Sequence, residues 1–289
     1  MTPDEYAAQQ AAISAATAYY VRSFGSFSRG PALSYGEWMQ LMYLLYPEVS
    51  RQRERAALLA QRFYNAQRAL HKPDLPEYNR EPDGSSFVQF VKNMEDSRRG
   101  MSQKDSPDNE VTRLALNAVR EVENAGRRQI IHAVREDPHL GVVRGWARVA
   151  TGRETCAWCL MLISRGPEHS YADTAGLDLS DYEALEMIAA GEDVSEYMDK
   201  WHPGCDCKAV PVFDHKAWPG KEEADRAADL WGKAEKAARR LREEEPDRVH
   251  TTGKNKGKPF TLNEDVVNAL RRMLAAGDAD MSDYAALAA

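Results

Sequence analysis

The chain has 289 residues, 43% of them hydrophobic and 29% charged, enough to bury a real core in one or two domains while staying more polar than a compact enzyme of this length. Its formal net charge of −7 argues against a general nucleic-acid coat and against an anionic membrane surface, so any nucleic-acid contact must be local. No apolar run approaches the roughly 18 to 20 residues of a bilayer span, and the acidic start Met1-Thr2-Pro3-Asp4-Glu5 is unlike a secretory signal, which predicts a protein made and kept in a cytosol.

Helix signals dominate the first half of the chain. Thr2 and Pro3 open a first helix with Asp4 and Glu5 in its first turn, and apolar positions continue through Ile13, Ala16, Tyr20 and Phe24. Ser34 caps a second helix carrying Trp38, Leu41, Met42 and Leu45, and Pro47 predicts a kink or restart. A third segment places Val49, Ala56, Leu59, Phe63, Ala66 and Leu70 on one face and Arg51, Arg53, Arg55, Arg62 and Arg68 on the other, a basic face expected to be solvated, with an acidic partner or nucleic acid as the alternative. After a proline-rich loop over 72–84, Phe87, Phe90, Val91 and Met94 outline a short amphipathic helix. Ser106-Pro107-Asp108 then starts a long one, whose stripe runs through Val111, Leu114, Ala118, Val122, Ile130 and Val134, with Gly126 a mild interruption.

The periodicity changes after Asp137-Pro138. Over Val142 to Ala150, Arg144, Trp146 and Arg148 alternate with Val143, Ala147 and Val149, the pattern of a half-buried strand. Lys208 to Phe213 is a second β-like run, which Pro211 confines to an edge or an end. Short helices are expected over Ser180 to Ala190 and Val194 to Trp201. Beyond Pro219 a charged amphipathic helix carries Ala227, Leu230, Trp231, Ala234, Ala238 and Leu241, and a last helix spans about Asn263 to Ala275. Between them, the basic loop 248–258 offers Lys254, Lys256 and Lys258 as candidate phosphate contacts, with a plain flexible linker as the alternative.

All four cysteines fall in two tight clusters, Cys156-Ala157-Trp158-Cys159 and His202-Pro203-Gly204-Cys205-Asp206-Cys207. A C-x-x-C turn aims two thiolates at one centre, and His202 with Cys205 repeats that spacing, so Cys156, Cys159, His202 and Cys205 form a candidate tetrahedral zinc site, with Cys207 as a fifth candidate. Two disulfides, or simply small buried residues, are the competing readings, and a reducing cytosol favours the metal. The predicted fold is mainly α with a small α+β, zinc-knuckle-like module, in which long amphipathic helices flank a short sheet clamped by Cys and His. The expected divisions are a helical region 1–139, a Cys/His domain 140–215 and C-terminal helices 216–289.

The run Arg153-Glu154-Thr155-Cys156-Ala157-Trp158-Cys159-Leu160, then Ser164-Arg165-Gly166, then Trp201 to Phe213, resembles the motif core of the Mu protein F-like minor head proteins of tailed bacteriophages. The likeness spans about residues 140 to 215. The whole chain further resembles head proteins of actinobacterial siphophages, commonly labelled capsid maturation proteases. That resemblance implies a minor capsid protein of the virion head, assembled in the host cytoplasm, with the portal protein and the major capsid or scaffold protein as neighbours. It also implies roles in head morphogenesis and in packaging or ejection of DNA. A protease needs a nucleophile, a base and an orienter. The chain has no G-x-S-x-G elbow and no H-E-x-x-H. Ser164, His169, Ser170 and Asp173 lie in one short loop, and thiolates occupied by zinc leave no catalytic position, so no catalytic residue is assigned.

Overall fold

The computed structural model describes residues 1–25, 32–102, 110–139, 141–152, 155–167, 190, 201, 203–253 and 256–287. It is mainly helical, with one small sheet. Helix α1 (Pro3–Arg22) begins in a capping box, Thr2 accepting from the Glu5 N–H while Glu5 reaches back to the Thr2 N–H. The same device, Ser34 with Glu37, starts α2 (Tyr35–His71). Two short helices follow, α3 (Phe87–Asn93) and α4 (Glu95–Met101), and then the long α5 (Glu110–Glu136). The predicted start of that helix at Ser106-Pro107-Asp108 lies outside the described residues, as do the segments 180–189 and 194–200 expected to hold short helices.

Helix α5 is the centre of the molecule, packing against α2, α1 and the sheet. Its stripe of Leu114, Ala118, Val122 and Ile130 is buried, and so are Glu121, Glu123, Asn124, Arg127 and Gln129 on its other sides. Burial of Leu114, Val122 and Ile130 contributes roughly 1.5–3 kcal/mol each. A Cβ on Gly126 would stand 3.3 Å from the Ala56 carbonyl oxygen and 3.3 Å from Gln10 Oε1, so the glycine lets α5 approach its two neighbours closely.

Helix α2 runs unbroken through Pro47, against the expectation of a restart. Proline supplies no N–H to the carbonyl four residues back, a cost of about 3 kcal/mol or more in a helix interior. Burial of Trp38, Leu41, Met42, Leu45 and Val49 on either side offsets it, and the nearby Leu44 carbonyl accepts from the Tyr20 hydroxyl at 3.0 Å. The arginine face of α2 is also not simply solvated. Arg53 pairs with Glu121 at 2.7 Å, and the buried Arg68 grips Asp137 at 2.7 Å and 3.2 Å. Tyr64 donates to the same carboxylate at 2.8 Å, and the His139 N–H at 3.0 Å. Arg51, Arg55 and Arg62 remain exposed.

Strand β1 (Gly145–Val149) pairs antiparallel with β2 (Lys208–Val212), Gly145 opposite Val212 and Val149 opposite Lys208. Pro211, opposite Trp146, sits in a sheet that has two strands among the described residues, so it lies at an edge there. The sheet is not half-buried as the alternation suggests: Trp146, Ala147, Arg148, Val149 and all of β2 are buried. Helix α5 and the short α6 (Ala157–Ile163) pack on β1, and α6 in turn meets α7 (Lys221–Glu244) and α8 (Leu262–Ala276). A 3₁₀ turn over Met281–Tyr284 leads to Ala286 and Leu287, whose N–H groups both donate to the Ala150 carbonyl at the end of β1.

Candidate metal centre

Cys156 is the N-cap of α6 in extended backbone, and Cys159 lies one turn inside the helix, so the C-x-x-C spacing brings the two Sγ atoms to 3.7 Å. The second cluster enters from the opposite side. Gly204 takes φ 81°, a left-handed turn that a side chain would strain. The chain then leads into β2. The Cys205 and Cys207 thiols lie close together, while the Asp206 carboxylate between them accepts from Thr151 at 2.9 Å and Thr155 at 3.2 Å.

The result is a buried thiol cluster: the Sγ atoms of Cys159, Cys205 and Cys207 all lie within 4.8 Å of one another, with Cys159 to Cys205 at 3.6 Å. None of the four cysteines is in a disulfide. Cys207, ranked behind His202 and Cys205 from spacing, therefore stands in the cluster itself, beside Cys205. His202 lies outside the described residues. Three converging, buried, soft donors are a set that could hold a metal ion.

Positive charge surrounds the thiols. Arg127 of α5 donates to the Cys205 carbonyl at 2.8 Å and the Cys207 carbonyl at 2.9 and 3.1 Å, fixing the backbone that presents both thiols. It also pairs with Glu123 at 2.8 Å, which Lys208 of β2 contacts at 3.0 Å. Burial works against the Glu123 carboxylate, yet Lys208 and Arg127 hold its pKa below the ordinary range.

Arg148 is different. Its side chain is fully buried, its guanidinium carbon sits 3.4 Å from the Trp201 ring centroid, and none of its three nitrogens has a hydrogen-bond partner among the described residues. Burial depresses its pKa, and the groups that oppose this are Cys205, Cys207 and Cys159. The thiol acidities are split in turn. Cys205 is held well below the usual thiol range by bonds from Cys159 and Cys207, helped by Arg127 and Arg148, whereas Cys159 is pushed far up by its bonds to Cys156, Cys205 and Cys207.

Arg127, Arg148 and Trp201 are members of the site that residue spacing did not reveal. The available signal was an arginine inside a β-like run two residues from a tryptophan. The other sequence candidates are scattered. Ser164 ends α6 with its hydroxyl donating to the Met161 carbonyl at 2.7 Å, and His169, Ser170 and Asp173 lie outside the described residues. Lys256 and Lys258 are exposed, and Lys254 is outside the described residues. Their loop is closed at its base, by the Val249–Pro259 bridge and a 2.9 Å bond from the His250 N–H to the Lys258 carbonyl. Arg248 and His250 pack on Phe260, and Arg248 pairs with Asp265 of α8 at 3.0 Å.

Comparison with known proteins gives a consistent result. The model of the VG15 protein family matches residues 2–234. The Gene 15 protein of Mycobacterium phage L5 is 48% identical over 301 aligned residues, covering 99% of this chain and 99% of that protein. The Gene 15 protein of Mycobacterium phage D29 is 48% identical over 281 residues, covering 94% and 98%. No solved structure matches.

Proposed function

The chain belongs to the VG15 protein family, and we propose that it is a minor head protein of a tailed bacteriophage, of the Mu F-like kind, built into the virion beside the portal. The observation that carries this reading is the whole-length likeness to phage gene products, and a buried cluster of three cysteines that could hold a structural metal ion supports it. Cys159, Cys205 and Cys207 are at most 3% exposed, so they present no accessible nucleophile, and a metal held by four protein ligands has no open position for a water. Zinc is the ion the donor set favours. It would hold α6 against the entry of β2 and stabilise a two-stranded sheet too small to persist alone. The neighbours in this reading are the portal protein and the major capsid or scaffold protein, with Lys254, Lys256 and Lys258 reaching packaged DNA. No helix among the described residues is long and apolar enough to cross a membrane.

The alternative is a capsid maturation protease that trims the scaffold or major capsid protein. Purified mature particles decide between them. A minor head protein is recovered in heads at a fixed low ratio to the portal, and particles made without it fail in assembly or packaging while the capsid protein keeps its encoded N-terminus. Absence from heads overturns the structural role. Normal incorporation of a stable Ser164→Ala, Cys156→Ser or His202→Ala protein, with uncut precursor accumulating, establishes the protease instead, since loss of cleavage without loss of folding marks a chemical role.

A further inference from the structure

We propose that the centre is a four-thiolate metal site, Cys156, Cys159, Cys205 and Cys207, and that Arg148 and Arg127 are its built-in counter-ions. This rests on the reading of a bound metal ion given above and adds its ligand set and charge.

Geometry supports the fourth thiol. Four sulfurs at about 2.3 Å from a zinc ion stand about 3.8 Å apart along each edge of a tetrahedron. Cys156 to Cys159 at 3.7 Å and Cys159 to Cys205 at 3.6 Å are two such edges, and Cys207 closes the face. Cys156, half-buried at the N-cap of α6, touches the cluster through Cys159 and is the thiol next in line for the remaining corner.

Charge supports the count. Among the described residues, the buried charged groups around the thiols are Arg127, Arg148 and Lys208, against Glu123. Asp206, the other carboxylate nearby, is only partly buried and accepts from the hydroxyls of Thr151 and Thr155. Among the described residues two positive charges are thus left without a buried carboxylate partner, one of them the Arg148 guanidinium, which has no hydrogen bond there. Uncompensated buried charge is strongly destabilising. A divalent ion with four thiolates carries two negative charges and cancels the excess. Three thiolates and a neutral imidazole carry one and leave the other unmatched. Trp201 lies against both guanidiniums, its ring centroid 3.4 Å from Arg148 and 4.3 Å from Arg127, so its face holds them in place without offering a competing acceptor.

The test uses full-length protein purified under reducing conditions with zinc present. Elemental analysis should find one metal ion per chain, and X-ray absorption at the metal edge should show four sulfurs at about 2.3 Å and no nitrogen at 2.0–2.1 Å. Three sulfurs and one nitrogen would overturn the four-thiolate assignment while leaving the zinc reading intact. Absence of any metal would overturn both, and iron bound by four sulfurs would overturn zinc alone. Chelator competition then reads the counter-ion. Arg148→Met should lower metal affinity by about 10- to 100-fold, the range for groups that support metal ligands, and Arg148→Lys, which keeps the charge, should recover most of it. An Arg148→Met protein that binds metal as tightly as the natural one refutes the counter-ion role. Should that variant fail to fold, an Arg148→Lys protein with natural affinity supports the role, and one with affinity as weak as a ligand deletion, Cys207→Ser, refutes it.

Discussion

Replacing Asp137 by Asn removes one charge from the most enclosed ion pair in the helical half of the molecule without changing side-chain volume. The Arg68 and Asp137 side chains are 2% and 1% exposed. The carboxylate takes two guanidinium bonds, a phenol and a backbone N–H, while Arg68 has one further acceptor, the Pro76 carbonyl. Breaking a buried pair from one side costs about 3–5 kcal/mol, because the remaining charge stays buried without its partner. Asn retains one carbonyl oxygen to accept from Arg68 or Tyr64, so the lower end is expected, about 3 kcal/mol. Urea unfolding followed by far-ultraviolet circular dichroism should show the midpoint moving down by that amount at unchanged slope. The double variant Arg68→Met with Asp137→Leu should lie closer to the natural protein than Asp137→Asn does, since it leaves no orphaned charge. A single substitution costing less than about 1 kcal/mol, the size of a surface pair, would refute the reasoning and mean that water reaches the site.

Four further outcomes are expected. Gly126→Val should cost about 1–3 kcal/mol by overpacking the crossing of α5 with α1 and α2. Gly232→Ala, in α7 with nothing within 4 Å of the added carbon, should gain up to about 1 kcal/mol in thermal unfolding; a reversal of either sign would contradict the packing described. Acid should destabilise the fold through Glu123, Asp137 and Asp83, whose folded pKa values are all held below their ordinary ones by neighbouring cations despite burial. Their contribution is complete above the unfolded carboxylate range of about 3.9–4.3 and is lost as pH falls through the lower folded values, so a urea midpoint unchanged between pH 7 and pH 3 would refute it. Changing Lys254, Lys256 and Lys258 together to Ala should weaken DNA association and reduce the slope of log affinity against log salt by about 0.9 per lost phosphate contact. An identical slope would make the loop's charge incidental.

Much of the helical frame is legible in the residues, because caps and apolar stripes are local signals. Ser34 stops the chain for α2, and Leu114, Ala118, Val122 and Ile130 mark the inner face of α5 without reference to anything distant. What is not legible depends on partners far along the chain. The continuity of α2 through Pro47 is set by tertiary burial that outweighs a local penalty. Arg53 and Arg68 look like solvent-facing arginines until Glu121 and Asp137 arrive from α5 and its end. Arg148 follows the same logic. Alternation assigns a charged residue in a strand to the water side, and only the meeting of β1 with the thiols and Trp201 makes the interior a place for it. The cysteine spacing predicts that the two clusters converge, whereas the entry of Cys207 into the buried cluster depends on the local path of the chain into β2, which spacing alone does not reveal.

The contact between Cys159 and Cys205 joins positions 46 apart in sequence, and it lies at the foot of β2 and the start of α6. A metal held at this contact would close one long loop of chain, and the entropy of such a closure changes by only about 0.6 kcal/mol when the loop doubles in length. The worth of that clasp is set by its two ends and hardly at all by how much chain lies between them.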